Sequence, residues 1–303
     1  SSLDVPINHF PKPSQAFTTK SGYPVCRYAL GGAARSKQPA SLPSSYYQFL
    51  TQQYSSGSNN SKFPLGAPFF FYYNPQRYPD FLSGVQELCQ EEQQQQRRRR
   101  RQDLFIVSGG TSSSTAAMEQ RLQEALQKCG ADYLDAFMLE YVCHGELKED
   151  DHSELQNAIR QAQGWKAQGL VRYVGATTHS HKVGAWLAEN NEIDMLMLRY
   201  NMAHKQAAED ISFPACVKRK KPVIAFTTTR WNALQGGHEE WSRKKRIHLQ
   251  REIVSLLLCP LRLLSKSSCI RREMKVSSRK RCQGSGMIRA KIMTWLDGEP
   301  MGI

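Results

Sequence analysis

Seven short apolar runs recur between Tyr23 and Trp231, each separated from the next by a longer helical or polar stretch, and this alternation constrains the fold more than any other feature of the chain. The runs are "YPVCRYALGG" from Tyr23, "APFFFYYN" from Ala67, "LFIVSGG" from Leu104, "DAFMLEYV" from Asp135, "VRYVGATT" from Val171, "DMLMLRYN" from Asp194 and "PVIAFTTT" from Pro222. Each is rich in Val, Ile, Phe, Tyr or Leu, and most end in small or polar residues, so all seven read as strands. Strands that alternate with helices imply a parallel sheet, because parallel neighbours need a long crossover between them.

The intervening stretches carry helical periodicity. In "STAAMEQRLQEALQKCG" the residues Met118, Leu122, Ala125 and Leu126 share one face, Ser114 or Thr115 offers a cap, and Gly130 ends the helix. In "SELQNAIRQAQGWKAQG" the stripe is Leu155, Ile159 and Ala162, and Gly169 closes it. The pattern fits a (β/α)8 barrel or an open doubly wound sheet, and periodicity does not choose between them.

The 303 residues divide by composition into an N-terminal extension (1–22), the repeating unit (23–241) and a basic tail (242–303). Of the net charge of +14, the tail contributes 15 Lys or Arg against 4 Asp or Glu, so the rest of the chain is close to neutral. Any nucleic-acid contact would therefore rest on the tail. No run of about 18 apolar residues is present to cross a bilayer. The eight cysteines form no CxxC pair, which suits reduced thiols in an intracellular compartment, cytoplasmic or organellar. Cys143 and His144 are adjacent and cannot share a metal on one strand face, so no metal site is expected.

Two segments break the repeat. Residues 90–103, "QEEQQQQRRRRRQD", read as a solvated continuation of a helix that begins near Pro79, or as a nuclear-import or RNA contact through Arg97 to Arg101. In the tail, "SLLLCPLRLLSK" is interrupted by Pro260, and the residues after it have no period, as in a misjoined reading frame or a retained intron.

Three stretches, in order, resemble the aldo/keto reductases. "LQEALQKCGADYLDAFMLEYV" resembles the family's "LxxLGTDYIDLYLLHW", "GWKAQGLVRYVGATTHS" its "LKEEGKIRAIGVSNF", and "RYNMAHKQAAEDISFPACVKRKKPVIAFTTTRW" its "YNLLHRxxExxLLPYCxxxGIGVIAYSPL". The resemblance runs from about Tyr23 to Gly237 and is clearest from Leu104 to Trp231. It implies a (β/α)8 TIM barrel with NADPH across the C-terminal ends of the strands. The barrel is incomplete at the C-terminus, because neither an eighth strand nor the basic loop that grips the 2′-phosphate follows Trp231. The tail either closes the barrel, through Ile253 to Leu258, or is not native continuation.

The family reduces carbonyls by hydride transfer, with a Tyr as proton donor tuned by a Lys, a His and an Asp. Here Tyr78 stands at the Tyr position, unless it is an ordinary residue of a Pro-flanked turn; Tyr73 stands at the Asp position and Gly109 at the Lys position. Glu140 replaces the His, the exchange that marks the family's branch reducing steroid carbon-carbon double bonds. Period-2 alternation from Ala136 and Met138 points Glu140 into the barrel mouth. The nicotinamide seat corresponds to Thr177, Thr178 and Phe226, with Met197 in place of a Gln, and Thr227 and Thr229 as donors to phosphate. Arg199, two residues beyond Met197, also faces the mouth and is expected to approach Glu140 or a bound anion. An ion pair would depress the Glu140 pKa and desolvation would raise it. His179 and His204 are the nearest imidazoles.

The reading is thus an oxidoreductase transferring hydride from NADPH to a carbonyl or enone, monomeric, with a small-molecule substrate and no membrane partner. Its alternative is a catalytically impaired barrel that binds a metabolite or nucleotide without turnover.

Overall fold

The computed structural model describes residues 13–14, 16–32, 38–52, 62–71, 78–90, 100–111, 114–142, 153–201, 205–227 and 292–296. The seven expected strands are present: β1 (Val25–Gly31), β2 (Ala67–Phe71), β3 (Phe105–Thr111), β4 (Leu134–Glu140), β5 (Val171–Thr178), β6 (Met195–Arg199) and β7 (Val223–Phe226). They pair in chain order, each parallel to the next. Between them run α1 (Ser41–Gln52), α2 (Pro79–Gln90), α3 (Thr115–Cys129), α4 (Ser153–Ala167) and α5 (His181–Glu189). A short α6 (Lys205–Ala207) passes through a π turn, Ala208–Ser212, into α7 (Phe213–Lys218).

These seven β/α units make an incomplete (β/α)8 barrel. The gap between β7 and β1 is taken by β8 (Ile292–Leu296), which runs antiparallel to both and is not a further β/α unit. The closing strand therefore lies deep in the tail, whereas Ile253 to Leu258, named from sequence for that role, lies outside the described residues.

Strand alternation divides the core into two layers. Phe69, Phe71, Phe105, Val107, Ala136, Met138, Met195, Met197, Ile224 and Phe226 fill the barrel interior. Phe70, Ile106, Phe137, Leu139, Val174, Ala176, Leu196 and Leu198 face outward against the helices. The caps of α3 are those the sequence offers: Ser114 Oγ accepts from Ala117 N, and Gly130 takes the left-handed conformation (φ 58°).

The barrel floor is closed by residues read from sequence as an N-terminal extension. Phe17 is buried in the interior cluster, edge-on to Tyr173 at 4.5 Å. Beside it lies a buried ion cluster. Asp135, fully buried at the start of β4, accepts from Arg101 at 2.9 Å, from Arg172 at 2.6 Å and from Ile106 N at 2.9 Å. Arg101 also donates to the Leu104 and Tyr133 carbonyls, and its guanidinium stacks 3.9 Å over the Tyr133 ring.

This corrects the reading of the arginine run at its last residue. Arg101 is neither a solvated helical extension nor a nucleic-acid contact, because a carboxylate, two carbonyls and an aromatic face replace the water that a buried guanidinium gives up. Residues 91–99, which include Arg97 to Arg99, lie outside the described residues, and Arg100 opens the 3-10 turn Arg100–Asp103.

Candidate active site

The mouth is built by the C-terminal ends of β3 to β7. Glu140 closes β4 on the inward row of Ala136 and Met138, as alternation requires. It is 8% exposed, and its Oε1 has no hydrogen-bond partner. Burial lifts its carboxyl from the ordinary range to about 8, against a smaller opposing pull from Arg121 on α3.

Two glycines at the end of β3 make room for this arrangement. A Cβ placed on Gly109 would lie 2.6 Å from the Met138 carbonyl oxygen and 2.8 Å from Glu140 Oε1. Glu140 thus lies across the position where the resemblance calls for a Lys, and no side chain fits there without moving backbone. A Cβ on the neighbouring Gly110 would meet Arg121 at 3.3 Å on the outer side. Glycines inside a strand often mark such close approaches, a signal present in "VSGGT".

Arg199 ends β6 level with Phe226, which belongs to the interior cluster, so both occupy the inward row. The expected ion pair with Glu140 is not formed: among the described residues no salt bridge joins the two. Burial governs the acidity of Glu140, and among the described residues the charged group that acts on it is Arg121. The two rows explain this, since Glu140 is level with Thr177 and Met197 while Arg199 sits two residues further along. Arg199 is half-buried, and its Nε is shielded from water without a hydrogen-bond partner.

The remaining residues singled out from sequence separate. Thr177 faces inward; its hydroxyl accepts from Tyr141 N at 3.1 Å, and its carbonyl accepts from Val142 N, which stitches the end of β4 to the end of β5. Thr178 is level with Leu198 of the outer layer, and its hydroxyl accepts from Ser180 N. Strand geometry therefore gives only one of the two threonines to the mouth. Thr227 donates its hydroxyl to the Phe226 carbonyl and has a positive φ of 54°. Thr229, His204 and Tyr73 lie outside the described residues. Tyr78 precedes α2 and packs against the outer apolar layer, across the sheet from the inward row that holds Glu140.

Tyr141 is the member of the mouth that the sequence reading does not single out, whereas its neighbours His179 and Phe226 are named there. Tyr141, with φ 58°, packs at a tilt against His179 at 5.5 Å, and His179 packs at a tilt against Phe226 at 5.1 Å, forming an aromatic row over the ends of β4, β5 and β7. Among the described residues, no group of three or more His, Cys, Asp or Glu is placed to hold a metal.

The aldo/keto reductase family model matches residues 83–278, more than half of the chain. The chain belongs to the aldo/keto reductase family. Solved family members support the fold at low identity. A thermostable aldo-keto reductase in complex with epalrestat is 15% identical (TM-score 0.51), the match covering 75% of this chain and 77% of that one. The holo form of an aldo-keto reductase from Bacillus halodurans is 16% identical (TM-score 0.51), with 80% and 77% covered. A glycerol dehydrogenase from Gluconobacter oxydans is 14% identical (TM-score 0.50), with 78% and 70% covered. The chain spans about two thirds to three quarters of the length of the solved reductases it resembles. No curated protein sequence matches it.

As an aldo/keto reductase, the chain departs from the family pattern on the inner wall of the mouth. The positions that the sequence resemblance assigns to the family's Lys, His and Gln carry Gly109, Glu140 and the buried Met197. These departures are contiguous: Gly109 pairs with Met138, two residues before Glu140, and Met197 pairs with Thr177.

Proposed function

We propose that this aldo/keto reductase is a nicotinamide-dependent oxidoreductase in which Glu140, as a neutral carboxylic acid, donates to the oxygen of a carbonyl or enone substrate. The observation that carries this reading is the buried, inward-facing carboxyl whose Oε1 has no partner. With a pKa of about 8 it is roughly nine-tenths protonated at pH 7 and holds a proton ready for a developing oxyanion. Positioned acids of this kind contribute ~10² to 10⁴-fold, most effectively when their pKa lies near the working pH.

The loss of the family Lys fits this chemistry. A phenol with a pKa of ~10 needs a nearby cation to act near neutrality, whereas a desolvated carboxyl reaches the useful range by burial alone. The step asked of Glu140 is to hold its proton against the substrate oxygen and strengthen that hydrogen bond as charge develops.

The residues present fit a nicotinamide cofactor. The orphaned Glu140 Oε1 and the inward ring of Phe226 suit a ligand with an aromatic face and a polar edge. Phe226 would stack on the ring, and the Thr177 hydroxyl, which accepts from Tyr141 N, keeps its own proton for a carboxamide. When bound, the dihydronicotinamide would supply the hydride.

NADPH consumption with a panel of ketones and enones tests the reading. Glu140→Gln is expected to lower kcat by ~10² to 10⁴-fold, and wild-type kcat to fall as pH rises through 8. Tyr78→Phe is expected to leave kcat within about twofold, given the outer-layer packing of that ring. No saturable quenching of Trp fluorescence at millimolar NADPH would sink the proposal.

A second reading, a barrel that binds a metabolite without turnover, is favoured by the closed space at Gly109, where the family Lys cannot be accommodated. Saturable ligand binding with no NADPH consumption across the panel selects it.

A further inference from the structure

Within β4 to β7, the inward rim positions carry two ionisable groups among the described residues, Glu140 and Arg199, and they do not neutralise each other. A half-buried guanidinium with no carboxylate partner is an uncommon arrangement, because desolvating a cation costs free energy that a counter-anion normally offsets. Arg199 has its Nε shielded from water without a partner, and no carboxylate of the described residues forms an ion pair with it. Among the described residues the inward-facing carboxyl of this wall is Glu140, two strands away on β4 and one inward layer deeper.

We infer that the mouth binds an oxo acid, with Arg199 holding the carboxylate and Glu140 facing the adjacent carbonyl oxygen. The inference rests on the reading of Glu140 as a donor to a substrate oxygen, and it names the substrate class of that site.

Several observations converge on this class. A guanidinium is a planar fork that matches a carboxylate in two parallel hydrogen bonds. Arg199 is two residues further along the wall than the layer of Glu140, Thr177 and Met197, a step of roughly 6.6 Å at the rise of a strand. Glu140 and Arg199 also stand two strands apart, about 9.6 Å across the wall, so their Cα atoms are about 12 Å from each other, a span that two inward-reaching side chains narrow and an oxo acid with its hydrogen bonds completes. Because Glu140 is neutral near pH 7, it does not repel the incoming anion; an ionised carboxylate in its place would. Met197, one inward position before Arg199, and Phe226, level with Arg199 on β7, give an apolar wall suited to the substrate's carbon portion.

Isothermal titration of the full chain with benzoylformate, acetophenone and benzoate, each with and without NADPH, tests the inference. Benzoylformate is expected to bind about ten- to hundredfold tighter than acetophenone, the range of a charge-assisted hydrogen bond, and tighter than benzoate, which lacks the carbonyl. Arg199→Gln should abolish the preference over acetophenone while leaving NADPH affinity unchanged, and Arg199→Lys, which keeps the charge, should restore part of it. Circular dichroism identifies a variant that has merely unfolded, and the ligand ranking on the wild-type chain decides the question without any variant. Equal wild-type affinities for benzoylformate and acetophenone overturn the inference. So does an Arg199→Gln chain that loses NADPH affinity and keeps its benzoylformate preference, because Arg199 would then serve a cofactor phosphate. Benzoylformate binding without NADPH oxidation would sustain the oxo-acid site and sink the reductase reading; oxidation with neutral ketones alone would do the reverse.

Discussion

Replacing Glu140 with Gln should stabilise the protein, and by an amount that grows with pH. In the unfolded chain the carboxyl titrates near its ordinary value of 4.5; in the fold burial moves it to about 8. Between those values the unfolded state has released the proton and the native state still holds it, so native stability falls as pH rises across this window and levels off above 8. Each unit is worth about 1.4 kcal/mol, so the penalty is on the order of 1 kcal/mol at pH 5 and 3 kcal/mol at pH 7. Gln has a similar shape and no titration. It buries a comparable unsatisfied polar group, so the neutral part of the cost largely cancels between the two chains. Glu140→Gln should therefore gain about 1 kcal/mol at pH 5 and about 3 kcal/mol at pH 7, the latter roughly 6–12 °C in midpoint for a domain of this size. Urea unfolding of both chains at several pH values between 5 and 9 measures it. A stability difference that stays constant across that range would refute the argument, because Glu140 would then be ionised in the native state. Should the prediction hold alongside loss of turnover, the residue is one whose burial destabilises the fold and serves the chemistry.

Other substitutions probe the frame that holds the site. Arg101→Gln should destabilise by about 3 kcal/mol, the low end for breaking a buried pair because Arg172 still neutralises Asp135, whereas Arg219→Ala at the exposed Glu189 pair should leave the urea midpoint unchanged. A midpoint for Arg101→Gln equal to wild type would mean that Arg101 is solvated. Gly109→Ala should cost about 1–3 kcal/mol through contact with the Met138 carbonyl and displace Glu140, so the fall of kcat above pH 8 should move or vanish; an unchanged midpoint and pH profile would show that the strand yields freely.

Much of this frame is legible in the sequence because strands and amphipathic helices are periodic. The run from Leu134 to Glu140 contains its own instructions: Leu139 must face the helices if Met138 faces the interior, and Glu140 follows Met138 inward. The same rule separates Thr177 from Thr178, although family motifs treat them as a pair. What composition hides is burial that depends on partners far along the chain. Arg101 ends a run of five arginines and has the appearance of surface, yet Asp135 and the Tyr133 carbonyl lie more than 30 residues away. Arg199 and Glu140 are both correctly turned inward by alternation, but their layers differ, and layer is set by sheet register, which a single strand does not encode. The displacement of Tyr78 to the outer layer has a similar cause, since the direction of a residue just before a helix depends on how that helix packs.

The closing strand governs how such a chain can be made. Ala29 of β1 pairs with Met293 of β8, about 260 residues away in sequence, and Ile224 of β7 pairs with Trp295, about 70 residues away. At a synthesis rate of ~5–20 residues per second, roughly 3–13 s separate completion of β7 from emergence of β8. Throughout that interval the seven-stranded sheet presents two open edges to its surroundings. Edge pairing with other chains competes with closure during this time, and contacts of such high order form slowly even once the strand is available. The yield of native protein should therefore depend on translation speed and on chaperones that shield strand edges, a dependence that a chain ending its barrel soon after β7 would not share.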